Sequence, residues 1–268
     1  MGAFVSILRV PKGGSTDEEC EDFATVAPAE SPSEWLDGPV TAAVSDGASE
    51  SLLAGRWAEL LSNTVREIVH GTPEVLTSAD DFAAVMVEAS TRWTKWLAEY
   101  VAHREANDRP IRWYEEPKLA TGAYATLLAA RFHSVAGSTH WQAAGLGDSC
   151  LFHIRGTELL RSFPLQSVAA FTSTPALARS RTQDVDLLVD HVTLTAGVAD
   201  QGDQFILCTD ALAAWLLLQV ESDRAPWDSL MELTRAGDRN RFAEWIVAQR
   251  STGGMRNDDV AVVHVDLG

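Results

Sequence analysis

The chain has 268 residues, 46% of them hydrophobic, and a net charge of -17. Such length and apolar content suffice for a sizeable buried core and exclude general disorder, while the charge repels polyanions and argues against a nucleic-acid partner. No run of about twenty apolar residues occurs, so no membrane span is expected.

Residues 3–10 alternate loosely and read as a first strand; the opening MGAFVSILRVPKGG lacks the apolar length and cleavage pattern of a signal peptide. A polar turn over 11–19 leads to short strands at 20–27 and 39–45. Leu52, Leu53, Trp57, Leu60, Leu61, Val65, Ile68 and Val69 recur at helical spacing and predict a helix over 50–70. A second helix opens near Ser78, with Asp80 and Asp81 in its first turn where acids favour the dipole, and runs to about His103. Residues 107–120 read as a polar and aromatic loop. Strands at 121–132 and 139–146 follow, then a hairpin over 149–155 and 157–162 that turns at Gly156.

Residues 164–185, rich in Ser, Thr and Pro and carrying Arg179 and Arg181, form a long exposed loop of the sort that often carries function. Strands at 190–195 and 203–209, helices at 210–220, 226–236 and 239–251, and a last strand at 259–266 complete the chain. This order lacks a regular alternation of strand and helix. It predicts an α+β fold, an antiparallel sandwich with helices outside, in one domain over 1–268.

The cysteines, Cys20, Cys150 and Cys208, are odd in number and unpaired in spacing, which excludes a disulfide framework and a zinc ribbon and points to a reducing cytoplasm. Cys208, inside an apolar strand, reads as buried rather than catalytic. The seven histidines show no metal-ligand spacing, and His140 and His153 read as sheet-surface residues. Trp93 and Trp96 are placed to pack together on one helix, and Trp113 and Tyr114 sit in a loop where they could touch a partner.

Acids recur where predicted strands begin or end. Glu21 and Asp22 lie in CEDFATV, Asp46 ends VTAAVSDG, Asp148 ends WQAAGLGDS, Asp210 ends QFILCTD, and Asp258 and Asp259 begin DDVAVVHV. A carboxylate beside an apolar strand is costly to bury unless it is paired or binds a cation. Singly, each has a plain reading: Asp46 could cap a helix beginning near Ser49, and Asp210 the helix that follows it. Together, carboxylates at the strand ends of one sandwich can converge on one cleft, where divalent cations remove their repulsion. Mg2+ and Mn2+ prefer such oxygen ligands, and two ions about 3.5–4 Å apart can clamp an in-line displacement at phosphorus.

The segments CEDFATV, AAVSDGAS, GLGDSCLFHIRG, GDQFILCTDAL and NDDVAVVHV resemble, in order and spacing, the metal-dependent protein phosphatases of the protein phosphatase 2C family. The resemblance implies two packed antiparallel sheets flanked by helix pairs, an α-β-β-α sandwich. It implies two Mn2+ or Mg2+ ions bridged by Asp46, with Gly47 offering its carbonyl and Asp210 and Asp258 completing the sites. Glu21 and Asp22 would hold metal-bound water, and Asp148 would share a third ion with Asp210. The implied activity is hydrolysis of phosphoserine or phosphothreonine in proteins by a metal-bridging hydroxide, opposite a cognate protein kinase. Residues 164–185 occupy the place of the family's substrate-selecting flap.

The chain departs from the family at several points. No arginine precedes the first acidic pair, where the family binds substrate phosphate; Arg9 and Lys12 are the nearest cations, and Arg179 or Arg181 are candidate substitutes. Ala48-Ser49 follows Asp46-Gly47, so a histidine general acid is missing there. The fourth motif reads Thr209-Asp210-Ala211, and the last reads Asp258-Asp259. These changes keep the metal ligands and leave two other readings open: a weak or inactive phosphatase-like binding or scaffold module, and an enzyme for small phosphate esters.

Overall fold

The computed structural model describes residues 1–182, 184–252 and 254–268. Thirteen strands are formed among them: β1 (Gly2–Val10), β2 (Phe23–Ala27), β3 (Ser33–Asp37), β4 (Val40–Ser45), β5 (Tyr124–Ala125), β6 (Leu127–Val135), β7 (Ser138–Leu146), β8 (Cys150–Arg155), β9 (Glu158–Phe163), β10 (Ala178–Arg179), β11 (Thr193–Ala199), β12 (Asp203–Cys208) and β13 (Val260–Asp266). Seven α-helices accompany them: α1 (Ala54–Gly71), α2 (Ala79–Ala106), α3 (Glu116–Thr121), α4 (Asp186–Val189), α5 (Asp210–Glu221), α6 (Trp227–Ala236) and α7 (Arg239–Ser251).

Two antiparallel sheets carry the fold. One has six strands in the order β3-β1-β13-β12-β8-β9, the other five in the order β11-β7-β6-β4-β2, and β10 pairs with β5 in a small ribbon. Three apolar layers follow from the alternation of side chains along each strand. Between the sheets lie Val5, Phe205, Leu207, Val263 and Val265 from the first and Val44, Phe132 and Trp141 from the second. The opposite faces of the same strands present Leu8, Val10, Ile206 and Val262 to α5, α6 and α7, whose Leu216, Trp227 and Phe242 cover them. On the far side, Trp57, Leu61 and Val65 of α1 and Phe82, Met86 and Trp93 of α2 cover Ala43, Ala129 and Ala144. Central strands are therefore apolar on both faces. The architecture is the expected α+β sandwich, helices on sheet on sheet on helices.

Several local expectations are corrected. The second strand begins at Phe23, so Glu21 and Asp22 precede it rather than lying within it. Strand β3 buries only Leu36, which left it without a legible apolar pattern in SEWLD. The first helix starts at Ala54 behind a left-handed Leu53, so Asp46 does not cap it, and Thr209 rather than Asp210 holds the N-cap position of α5. The short helix α3 replaces part of the loop over 107–120, a 3-10 turn over Val168–Ala170 and strand β10 replace part of the loop over 164–185, and Ala178, Ser180 and Thr182 of the latter are buried. His153 is buried rather than on the sheet surface; its Nε2 lies 2.7 Å from Asp203 Oδ2, and its ring stacks on Phe205. Trp93 and Trp96 pack together with ring centroids 4.8 Å apart, and Ser78 caps α2 by accepting the Asp81 N–H.

Candidate acidic metal centre

Asp46 leaves the end of β4 in a clamped main chain. Its N–H donates to Thr126 Oγ1 at 3.0 Å, its carbonyl accepts the Thr126 N–H at 2.9 Å, and the Ala48 N–H reaches the Tyr124 carbonyl. Gly47 between them has no room for a side chain: a Cβ would stand 2.7 Å from the Glu21 carbonyl oxygen and 2.8 Å from the Ala54 carbonyl carbon. This close approach brings the Asp46 turn against the Glu21-Asp22 turn and the first turn of α1.

Asp148 stands in the β7–β8 turn behind Gly147, whose φ of 105° and contact with Thr126 both require glycine. Thr126 also bonds Ser149, so one threonine ties the Asp46 and Asp148 turns together. Asp210 opens α5 directly after β12. Asp258 precedes β13, and its carbonyl is held by Arg250, which also bonds the Pro11 carbonyl. The neighbouring Asp259 is buried and structural: Oδ1 accepts the Lys12 N–H at 2.7 Å and Oδ2 the Glu21 N–H at 2.8 Å.

The acids from these turns act on one another. Burial, then the nearby Asp46, pushes the Asp22 carboxyl well above the usual carboxylate range. Asp46 is pushed up by burial, then by Asp210 and Asp148. Burial and Asp210 lift Asp148 to about 6. Asp210 is also raised by burial and Asp258, although its ion pair with Arg256 pulls the other way. Two buried carboxylate oxygens, Asp22 Oδ2 and Asp148 Oδ1, have no hydrogen-bond partner among the described residues. Orphaned acceptors beside mutually repelling acids are a donor set suited to a hard divalent cation. Among the described residues, however, no three His, Cys, Asp or Glu side chains are grouped so as to hold a metal ion as they stand.

The structure thus brings Asp22, Asp46, Asp148, Asp210 and Asp258 within reach of one another's charge, with Gly47 packed between the Glu21 carbonyl and Ala54. Two cations that motif reading left aside also reach the rim. Lys12 Nζ lies 3.6 Å from Glu21 Oε2 and 3.3 Å from Ser49 Oγ, and Ser49 bonds Glu21 in turn. Burial disfavours the Lys12 ammonium, but Asp259, Glu21 and Asp258 outweigh it and its pKa rises. Arg256 pairs with Asp210 on the other side. Of the other candidate cations, the Arg179 guanidinium sits 5.5 Å from the Tyr124 ring centroid, and Arg181 packs beside Gly122. Cys208 is buried, and burial holds its thiol well above the ordinary range. No helix among the described residues is long and apolar enough to cross a membrane.

Comparison with curated protein sequences gives no match. Among solved structures the chain is similar to the catalytic domain of the serine/threonine protein phosphatase PstP in complex with two manganese ions, at 18% identity and TM-score 0.55 over 99% of each chain. It is also similar to the photosystem II phosphatase PBCP, at 12% identity and TM-score 0.59 over 99% of each chain. A third likeness is to the Ser-Thr phosphatase MsPP from Mycobacterium smegmatis, at 16% identity and TM-score 0.51 over 98% of each chain. A family profile described as protein phosphatase 2C matches residues 15–249, most of the chain, and the chain belongs to that family.

Proposed function

We propose that the chain is a cytoplasmic, divalent-metal-dependent phosphatase that removes phosphate from phosphoserine or phosphothreonine in proteins, opposite a protein kinase. The observation that carries this reading is the pair of orphaned buried carboxylate oxygens on Asp22 and Asp148, set among acids whose charged forms are disfavoured without a counter-ion. Asp46, Asp210, Asp258 and the Gly47 carbonyl would hold two Mn2+ or Mg2+ ions, Glu21 and Asp22 would position water beside them, and Asp148 would share a third ion with Asp210. Such ions acidify water and stabilise the charge that develops at phosphorus. The Mn2+ in the PstP structure supports the choice of metal.

Lys12 and Arg256 take the part of the absent arginine. They are the cations at the rim of the acids, and each can turn from its carboxylate to a substrate phosphate once bound ions offset the acidic charge. With no imidazole after Gly47, protonation of the leaving alkoxide falls to water or to the Lys12 ammonium, which its acidic neighbours keep protonated.

Two observations favour the second reading, a non-catalytic relative: Arg256 already pairs with Asp210, and among the described residues no three His, Cys, Asp or Glu side chains are grouped to hold a metal ion. Calorimetric Mn2+ titration beside phosphopeptide turnover separates the two. The phosphatase reading expects Mn2+-stimulated release of phosphate that Asp46→Ala and Asp210→Ala reduce by at least about a hundredfold, as loss of a transition-state contact does. Variants that match the parent rate would overturn the site assignment, and metal binding without turnover would establish the second reading.

A further inference from the structure

Strand β3 pairs with only Gly2 to Ser6 of β1, so among the described residues the run from Ile7 to Val10 has no strand partner on that side. A cavity of about 580 Å3 lies along this stretch, where the Ile7 N–H reaches the Pro32 carbonyl at 2.7 Å and β1 passes β2. Its lining includes Ile7, Leu8 and Val26 and three arginines from three elements: Arg9 of β1, whose guanidinium also lies 5.1 Å from the Phe23 ring centroid, Arg66 of α1 and Arg239 of α7. In a chain carrying a net charge of -17, such a gathering of cations is out of keeping with the general surface.

The three arginines are unequally committed. Arg239 is paired with Asp17, and its Nε covers the Arg9 carbonyl at 3.1 Å. Arg9 and Arg66 form no ion pair among the described residues; each donates one bond to a main-chain carbonyl, Asp22 at 3.2 Å and Val26 at 3.4 Å. Arg66 Nε is buried and has no hydrogen-bond partner. The other acid in the wall, Glu30, is exposed. The buried Arg66 Nε requires an acceptor, and the partly exposed Arg9 guanidinium has donors to spare. Their fork geometry matches the oxygens of a carboxylate, phosphonate or phosphate. The cavity falls within the roughly 300–1,000 Å3 of small-molecule sites, and its mixed wall suits an apolar body bearing one charged head.

We propose that this cavity binds a small organic oxyanion, its head against Arg9 and Arg66 and its apolar body against Ile7, Leu8 and Val26. The proposal goes beyond the phosphatase reading and does not rest on it. Because Arg9 also holds the Asp22 carbonyl, such a ligand would sit one side chain away from the acidic centre.

The test is calorimetric titration of metal-stripped protein with phenylacetate and with phenylphosphonate, which separate a carboxylate from a phosphate-like head. At least one is expected to bind saturably at one site per chain. Arg66→Met and Arg9→Met should each weaken it about tenfold or more, the worth of one hydrogen bond to a charged group. Arg66→Lys should weaken it less, and Asp46→Asn should leave it unchanged. Thermal unfolding shows that each variant is folded; if Arg66→Met is not, Arg9→Met and Arg66→Lys carry the test. Failure of both anions to saturate at millimolar concentration overturns the proposal. So does binding that Asp46→Asn abolishes and the arginine variants retain, because the anion would then sit at the acids.

Discussion

Asp148 and Arg256 show what single residues contribute to this centre. Burial and Asp210 hold the Asp148 carboxyl at about 6, above the ordinary value of 3.8. The metal-free fold therefore loses stability as pH rises through that interval, because ionisation is easier in the unfolded chain; below it both states are protonated and nothing is lost. Metal-free protein is expected to gain stability from pH 7 down to about pH 5, and Asp148→Asn to raise it at pH 7 by about 1–3 kcal/mol, read by denaturant unfolding at each pH. Below pH 4 the sign reverses at Asp203. Burial opposes its charge, but Arg155 and His153 win and hold it down at about 2, so its contribution disappears as pH falls toward that value. Arg256→Ala should raise KM for a phosphopeptide by about tenfold while leaving kcat nearer the parent, since a bond to a charged group is worth about 1.5–3 kcal/mol. Steady-state kinetics check this, and an unchanged KM would remove Arg256 from substrate binding. The acids were legible because an aspartate ending an apolar strand violates the pattern around it. Lys12 was legible only as a nearby cation and Arg256 not at all, because each belongs to a connecting segment with no pattern of its own, and Arg256 reaches Asp210 only through the pairing of β12 with β13.

At the scale of elements, Asp259 is the joint on which the site depends. Its two carboxylate oxygens hold the N–H groups of Lys12 and Glu21, so the head of β13 fixes both the turn after β1 and the turn before β2. Asp259→Ala removes two buried charge-assisted bonds and should cost about 2–4 kcal/mol, with loss of Mn2+ affinity although no ligand is changed. Asp259→Asn, which keeps one acceptor, should fall between. The midpoint of urea unfolding and a Mn2+ titration measure the two effects. The elements themselves were readable in proportion to their burial. The helix over 54–71 carries its apolar residues at regular spacing and β13 is buried throughout, whereas β3 at a sheet edge, α3 and α4 bury one residue each and leave almost no periodic signal. The 28-residue α2 is joined to α1 by Trp57 of α1, whose ring centroid lies 5.6 Å from that of Trp93, and by Arg56 of α1, set 5.0 Å from the Trp96 ring centroid.

At the scale of the molecule, a net charge of -17 governs encounter. Phosphopeptides flanked by Lys and Arg should show a higher kcat/KM than those flanked by Asp and Glu, by about tenfold at low salt, and the gap should close as ionic strength shortens the screening length. An equal preference at all salt concentrations would show that the local field at the acids, not the overall charge, selects the substrate. The position of β13 has another bearing, on timing. The last strand of the sequence is inserted between β1, the first, and β12, and it brings Asp258 and the Asp259 joint with it. A chain emerging from the ribosome can complete the five-stranded sheet and its α1–α2 cover while β1 and β12 still lack their shared neighbour. The acids from Glu21 to Asp210 then exist without the main-chain bonds that hold their turns in place. Assembly of the centre is thus tied to a contact spanning almost the whole sequence, the kind that forms late because its loop closure is costly. Capacity for metal should arise only once β13 has emerged and paired, all at once rather than by degrees.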